Sequence, residues 1–191
     1  MAQPRNFSFA SAIAGALALC LLLIIAAAAV VYGGLFPVAA SSEDGAAVRS
    51  LLIEAREHSV ERSAAGLTAP SFTAEDVRLG GSHFKGMCQA CHGGPGAEPE
   101  EFAAGMNPRP PNLAKAAGDL TVAQVFWIAK NGIRMTGMPD FGKTDEDEEL
   151  WKVAAFVKQL QKVTAADYAA LPNAHEHEEA DEEAGHHHDH H

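Results

Sequence analysis

From Ala12 to Leu35 nearly every position is apolar, and no formally charged residue occurs between Arg5 and Glu43. As a helix rising about 1.5 Å per residue, that run is roughly 36 Å long, enough to cross a hydrocarbon layer of about 30 Å. The pattern predicts one transmembrane helix. A cleaved secretory signal is the rival reading, with Val38-Ala39-Ala40 as a small-residue cleavage site. The apolar part of such a signal is usually only about 7–15 residues, which favours a retained anchor. Both readings export the remainder of the chain, and Arg5 on the short N-terminal flank agrees with a cytoplasmic start.

Beyond the apolar run the spacing becomes helical and amphipathic. Val48, Leu51, Leu52 and Ala55, then Ser59 and Val60, predict a helix within Ser41 to Gly66, read as a spacer that packs on the following domain. Ala69-Pro70-Ser71 breaks it. Thr73-Ala74-Glu75-Asp76 reads as an N-terminal cap opening a helix towards Met87, and Gly93-Gly94-Pro95-Gly96 stops any continuation. Pro99, Pro108, Pro110 and Pro111 then enforce an extended loop as far as Asn112. Thr121 with Gln124 caps a helix holding Val125, Phe126, Ile128 and Ala129 that ends near Gly132. Thr144, with Asp145, Glu146 and Asp147 in the first turn, is expected to open the last major helix. Its apolar side carries Leu150, Trp151, Val153, Ala154, Val157 and Leu160, with Phe156 close by. No strand-like alternation of useful length occurs, so the expected fold class is all-α.

Charge changes the picture at one end only. The formal net charge is −11 over 191 residues, but seven carboxylates and no Lys or Arg fall between His175 and His191. The rest is mildly acidic, which argues against nucleic-acid binding. The same tail carries His175, His177, His186, His187, His188, His190 and His191. It is expected to be a disordered solvating segment, with weak binding of Zn, Cu or Ni as the second reading.

Of the three cysteines, Cys20 lies in the apolar run, leaving Cys88 and Cys91 for the exported part. Cys88-Gln89-Ala90-Cys91-His92 is a C-x-x-C-H sequence, the signature of covalent haem attachment, in which two thiols add to haem vinyl groups and the adjacent imidazole reaches the iron. A zinc site would need a second pair of ligands, and a thioredoxin-like motif would need a preceding βα pattern. Neither is present. A sixth ligand is sought in the loop from Asn131 to Gly142, which offers Met135 and Met138; a thioether there raises the reduction potential. Pro139 fixes the chain just past Met138, which makes that residue the first choice. Met135 is read as packing near the haem edge, and Met87 and Met106 rank lower. His58 and His83 are read as surface residues; a bis-histidine iron would need one of them.

These features in this order resemble the class I c-type cytochromes, of the membrane-anchored bacterial monohaem kind, over about Thr73 to Leu160. Gly80 and Phe84 stand eight and four residues before Cys88, where the family's first helix has a small residue and an aromatic, and Phe156 takes the place of the aromatic in the last helix. The resemblance implies that these helices cross where the glycine lets the backbones approach. Pro110-Pro111-Asn112-Leu113 resembles the family's proline loop, so that the Pro111 carbonyl would orient His92. Asn131 to Pro139 resembles the methionine loop, implying Met138 as the second axial ligand.

The expected organisation is a cytoplasmic N-terminus and anchor at 1–40, an amphipathic helix and linker at 41–70, a monohaem cytochrome c domain at 71–174, and the tail at 175–191. The expected cofactor is one covalent haem c, with Leu113, Trp127 and Arg134 among its surroundings and the last two as candidate partners of its propionates. The expected role is that of a tethered one-electron carrier rather than an enzyme. It would sit in a bacterial inner membrane with the haem domain on the periplasmic side, docking weakly with a redox donor and acceptor, with no small-molecule substrate. A dedicated subunit of a membrane oxidoreductase is the alternative. A haem enzyme or sensor would need an open sixth site, which Met138 disfavours.

Overall fold

The structure, a computed structural model, describes residues 9–172. Arg5 and the histidine-rich tail lie outside the described residues. The chain divides after Ser42 into two units.

The first unit holds α1, Phe9–Tyr32, a helix of 24 residues with no buried side chain. Among the described residues it is the one helix long and apolar enough to cross a membrane, a property that an anchor and a signal sequence share. It opens and closes three residues ahead of the predicted run. Gly33 and Gly34 end it, with the Leu35 amide closing back onto the Val30 carbonyl at 3.0 Å.

The second unit is all helix and loop. Its helices are α2 (Ala46–Ala64), α3 (Ala74–His83), α4 (Gln89–His92), α5 (Leu113–Ala116), α6 (Val122–Asn131), α7 (Asp147–Gln159) and α8 (Ala165–Ala169), with a π-helical turn at Phe84–Cys88. Three short 3₁₀ turns link them, at Glu101–Gly105, Phe141–Lys143 and Leu160–Lys162. Among the described residues the only β pairing is an isolated bridge between Gly94 and Ala97.

Two of the helix starts come directly from local sequence. Thr73 Oγ1 accepts from the Asp76 amide at 3.1 Å while the Asp76 carboxylate accepts from the Thr73 amide at 2.8 Å. Thr121 and Gln124 repeat this reciprocal arrangement at 3.1 and 2.7 Å. Each pair satisfies two backbone donors that an α-helix leaves open. The last major helix departs from expectation. Thr144 does not open it, because its hydroxyl donates to the Phe141 carbonyl and the Asp145 carboxylate and so closes the preceding 3₁₀ turn. Glu146 is the cap instead, paired reciprocally with Glu149, and the first-turn acids are Asp147, Glu148 and Glu149.

The centre of the unit is the crossing of α3 and α7. Gly80 sits there because a Cβ would overlap the Lys152 carbonyl and stand 2.8 Å from the Val153 nitrogen. With the backbones this close, Phe84 is completely buried and its ring lies 5.5 Å from Phe156 and 6.3 Å from Tyr168 of α8. Leu150, Val153, Ala154 and Val157 complete the buried side of α7, and Leu160 of the following 3₁₀ turn continues it. Phe126 of α6 stacks on Trp151 at 3.9 Å with the rings parallel. Burial of such side chains, each contributing about 1.5–3 kcal/mol, is the main force holding the crossing.

Helix α2 packs on the domain at one end. Only Val60 and Ala64 are buried, whereas Val48 is 51% and Leu51 68% exposed, with Leu52 and Ile53 also exposed. Its partner is α6, and the burial lies in the C-terminal part of α2.

Lys158 ties the loop between α5 and α6 to α7. Its ammonium donates to the carbonyls of Ala117 (2.8 Å), Gly118 (2.9 Å) and Leu120. Gln161 donates to the Ala114 carbonyl, so α5 is held from two sides. Lys158→Met keeps the apolar stem and removes the charged donor. Urea unfolding should show a loss of about 1–3 kcal/mol, the cost of leaving part-buried carbonyls unpaired.

Candidate functional site

The C-x-x-C-H segment begins in a helix that changes its winding. After α3 the chain takes a π turn over Phe84–Cys88, with the Gln89 amide donating to the Phe84 carbonyl, and returns to α geometry for Gln89–His92. Such a turn takes up an extra residue and rotates the side chains beyond it, a device common at functional sites. Here Phe84 remains in the core while Cys88, Cys91 and His92 are each half-buried.

Both cysteines are free. Burial pushes the Cys88 thiol up to about 12, helped by the Asp145 carboxylate and by Cys91. A thiol held protonated is a poor thiolate ligand and a poor redox nucleophile. This environment suits an uncharged sulfur, which a thioether is. Burial raises the Tyr168 phenol as well, with Cys88 contributing, and its hydroxyl donates to the Gln89 side chain at 2.8 Å.

His92 Nδ1 lies 2.8 Å from the Pro111 carbonyl oxygen. A carbonyl only accepts, so the proton belongs on Nδ1 and Nε2 keeps its lone pair. Burial lowers the His92 pKa and the Pro111 bond opposes this in part, leaving the imidazole below its ordinary value and neutral at pH 7. Neutral imidazole with Nδ1 held by a carbonyl is the form that ligates a metal through Nε2. The Pro111 carbonyl is presented by the extended backbone before α5, whose cap is Asn112 through its side-chain oxygen and the Lys115 amide at 3.3 Å.

The loop after α6 is closed by its own hydrogen bonds. The Thr136 hydroxyl donates to the Ile133 carbonyl at 2.6 Å and accepts from the Met138 amide at 3.1 Å. Gly132, at φ 64°, turns the chain out of α6 and lies against Pro139, with no room for a Cβ beside the Pro139 carbonyl. Met135 and Met138 are now distinguished. Met135 takes a left-handed φ of 62° and is 76% exposed; Met138 is half-buried.

Of the expected surroundings, Leu113 packs against the core, Trp127 is half-buried and Arg134 is exposed. The structure joins Pro111 to His92. It places Trp127 and Arg134 on separate elements, with Asn131 donating to the Trp127 carbonyl at 2.8 Å.

Three contacts escaped the sequence reading. A Cβ on Gly137 would stand 3.2 Å from the Met106 sulfur, so a residue ranked low in sequence lies against the methionine loop. Tyr168 closes over Gln89, between the two cysteines in sequence. His83, expected at the surface, is half-buried and faces Glu149 at 3.7 Å. All three pairings are distant in sequence and carry no local signal.

The donors present fit a covalently attached haem: two unpaired thiols flanking a helical turn, an imidazole with Nε2 open, and a methionine-bearing loop. Nothing among the curated proteins or the solved structures matches the chain. Residues 75–157 match the family described as cytochrome c oxidase, cbb3-type, subunit III. That match spans nearly all of α3, the C-x-x-C-H segment, the methionine loop and α7 to Val157. Cytochrome c domains carry electrons on covalent haem c, are typically carriers rather than enzymes, and are typically extracytoplasmic. The chain therefore carries, at residues 75–157, a cytochrome c domain of the cbb3-oxidase subunit III type.

Proposed function

We propose that the protein is a membrane-tethered one-electron carrier. Cys88 and Cys91 hold one haem c through thioether bonds, and His92 and Met138 are the axial ligands. The observation that carries this reading is the 2.8 Å contact between His92 Nδ1 and the Pro111 carbonyl, which directs Nε2 to a metal. When bound, haem c supplies Fe(III)/Fe(II) exchange. The chain's own part is to keep the imidazole neutral and oriented and to hold Met138 in a loop tied by Thr136. No general base or nucleophile is required. Helix α1 is the anchor, in a bacterial inner membrane with the domain on the periplasmic side.

One observation favours a second reading, a dedicated subunit of a membrane oxidoreductase. Val48, Leu51, Leu52 and Ile53 of α2 are exposed apolar residues on a helix that the domain leaves largely uncovered, as a docking element would require. The family match to an oxidase subunit agrees with it.

Both readings require a c-type α band in the reduced full-length protein. Its absence would sink them together. Gentle detergent purification separates them: a carrier elutes as a single polypeptide, and a subunit brings a fixed set of companions in constant ratio.

A further inference from the structure

We propose that His83, Asp145 and Glu149 form a binding site for one divalent transition-metal ion of the zinc class, separate from the haem iron. His83 is the last residue of α3, Asp145 comes after the Phe141–Lys143 turn, and Glu149 lies in the first turn of α7. One ligand atom from each lies within 4.8 Å of the other two, and all three residues are half-buried. The site arises from the Gly80 crossing, which brings the end of α3 against the start of α7.

The spacing leaves room for an ion between the side chains. His83 Nε2 and Glu149 Oε1 are 3.7 Å apart, beyond the 2.7–3.2 Å range of an N–H···O bond. Zinc bonds of about 2.0–2.2 Å in a tetrahedron put ligand atoms roughly 3.3–3.5 Å apart. Side-chain adjustment on the order of an ångström therefore closes the set around an ion.

Both carboxylates are already oriented by outer contacts. Asp145 Oδ2 accepts from the Thr144 hydroxyl at 2.6 Å, and Glu149 Oε2 accepts from the Glu146 amide at 3.3 Å, leaving Glu149 Oε1 towards His83. Outer partners of this kind fix the direction of metal ligands. The neighbouring lysines make their direct pairs with other acids, although the Lys152 charge also reaches Glu149. Lys130 pairs with Asp147 at 2.5 Å, and Lys152 pairs with Glu148 at 2.7 Å and approaches Asp76 at 4.0 Å. Two carboxylates thus share a half-buried position with one imidazole, a charge of −2 when that ring is neutral, which a dication balances. An imidazole with two carboxylates suits Zn(II) among hard and borderline ions, and the fourth position is left to water.

His83 ends α3 directly before the π turn that leads to Cys88, so a cation here sits beside the haem-attachment helix and should make the iron easier to reduce. Metal binding itself does not depend on the proposed axial ligands.

The test uses the full-length holoprotein with the seven tail histidines replaced by serine, so that the tail takes up no metal. In the diamagnetic reduced state, Zn(II) titration should shift the His83 imidazole resonances to saturation at one equivalent. Calorimetry should give the same stoichiometry, with affinity at least tenfold weaker in His83→Gln and in Asp145→Asn. Both variants leave the Glu146–Glu149 cap intact, and an unchanged near-ultraviolet dichroism spectrum verifies their fold. Unmoved His83 resonances, or a zinc affinity in either variant equal to that of the parent, would overturn the proposal. Bound zinc should raise the midpoint potential in the parent and leave it unchanged in His83→Gln; loss of the c-type spectrum would instead count against the haem reading alone.

Discussion

Met138→Ala is expected to abolish the long-wavelength ferric charge-transfer band of methionine ligation and to lower the reduction potential by on the order of 0.1 V. Axial ligands set haem potentials across about 0.8 V, and a soft thioether favours the ferrous iron. The covalent attachment should survive, since it depends on Cys88 and Cys91. Met135→Ala is the control. With Met135 76% exposed at a left-handed φ, its loss should leave both band and potential nearly unchanged. Redox titration of the two variants decides the matter. If Met135→Ala lowered the potential and Met138→Ala did not, the ligand assignment would be reversed. Met106 gives a third arm. Its thioether lies against Gly137, next to Met138 in the chain, and is the candidate substitute should Met138 be removed. A Met138→Ala protein that keeps a methionine spectrum, and loses it in the Met106→Ala double variant, would show that substitution.

Gly80→Ala should be the most damaging single methyl addition in the molecule. The added carbon would overlap the Lys152 carbonyl and press on the Val153 nitrogen, atoms of a helix backbone that cannot rotate away. Relief requires α3 and α7 to separate, and that opens the buried set around Phe84, Phe156 and Leu150. Overpacking costs typically about 1–3 kcal/mol and more where backbone must shift, so a loss of about 3 kcal/mol or more is expected. For a domain of this size that lowers the melting temperature by roughly 12 °C or more. Gly81→Ala calibrates the effect. There the new methyl meets the Leu171 methyl at 2.7 Å and the edge of the Phe156 ring at 2.8 Å, side-chain atoms that can yield. Equal melting temperatures for the two variants would show that backbone contact is not what limits the crossing.

Much of this was legible from local chemistry. Thr73 with Asp76 and Thr121 with Gln124 form their caps from residues three apart, so four letters suffice to read them. The C-x-x-C-H segment is equally local. Resemblance extended that reach, because the expected roles of Gly80, Phe84, Phe156 and Pro111 came from the order of motifs rather than from any one of them.

Where sequence reading failed, a partner distant in the chain or a neighbouring turn had decided the outcome. Thr144 carried every feature of a cap, yet its hydroxyl was taken by Phe141 and Asp145, and Glu146 opened α7 instead. The apolar positions of α2 predicted a packed face, but among them the tertiary contacts bury only Val60, together with Ala64. The three carbonyls gathered by Lys158 lie some forty positions upstream of it.

The amino-acid sequence by itself determined the apolar helix, the helix caps, and the pair of thiols with an adjacent imidazole, because each depends on side chains within a turn or two of one another. Only the tertiary structure decided that His83 meets Asp145 and Glu149 and that Tyr168 closes over Gln89. For the first of these the physical reason is the close approach at Gly80, which sets where α3 and α7 cross and so which distant groups on them face each other.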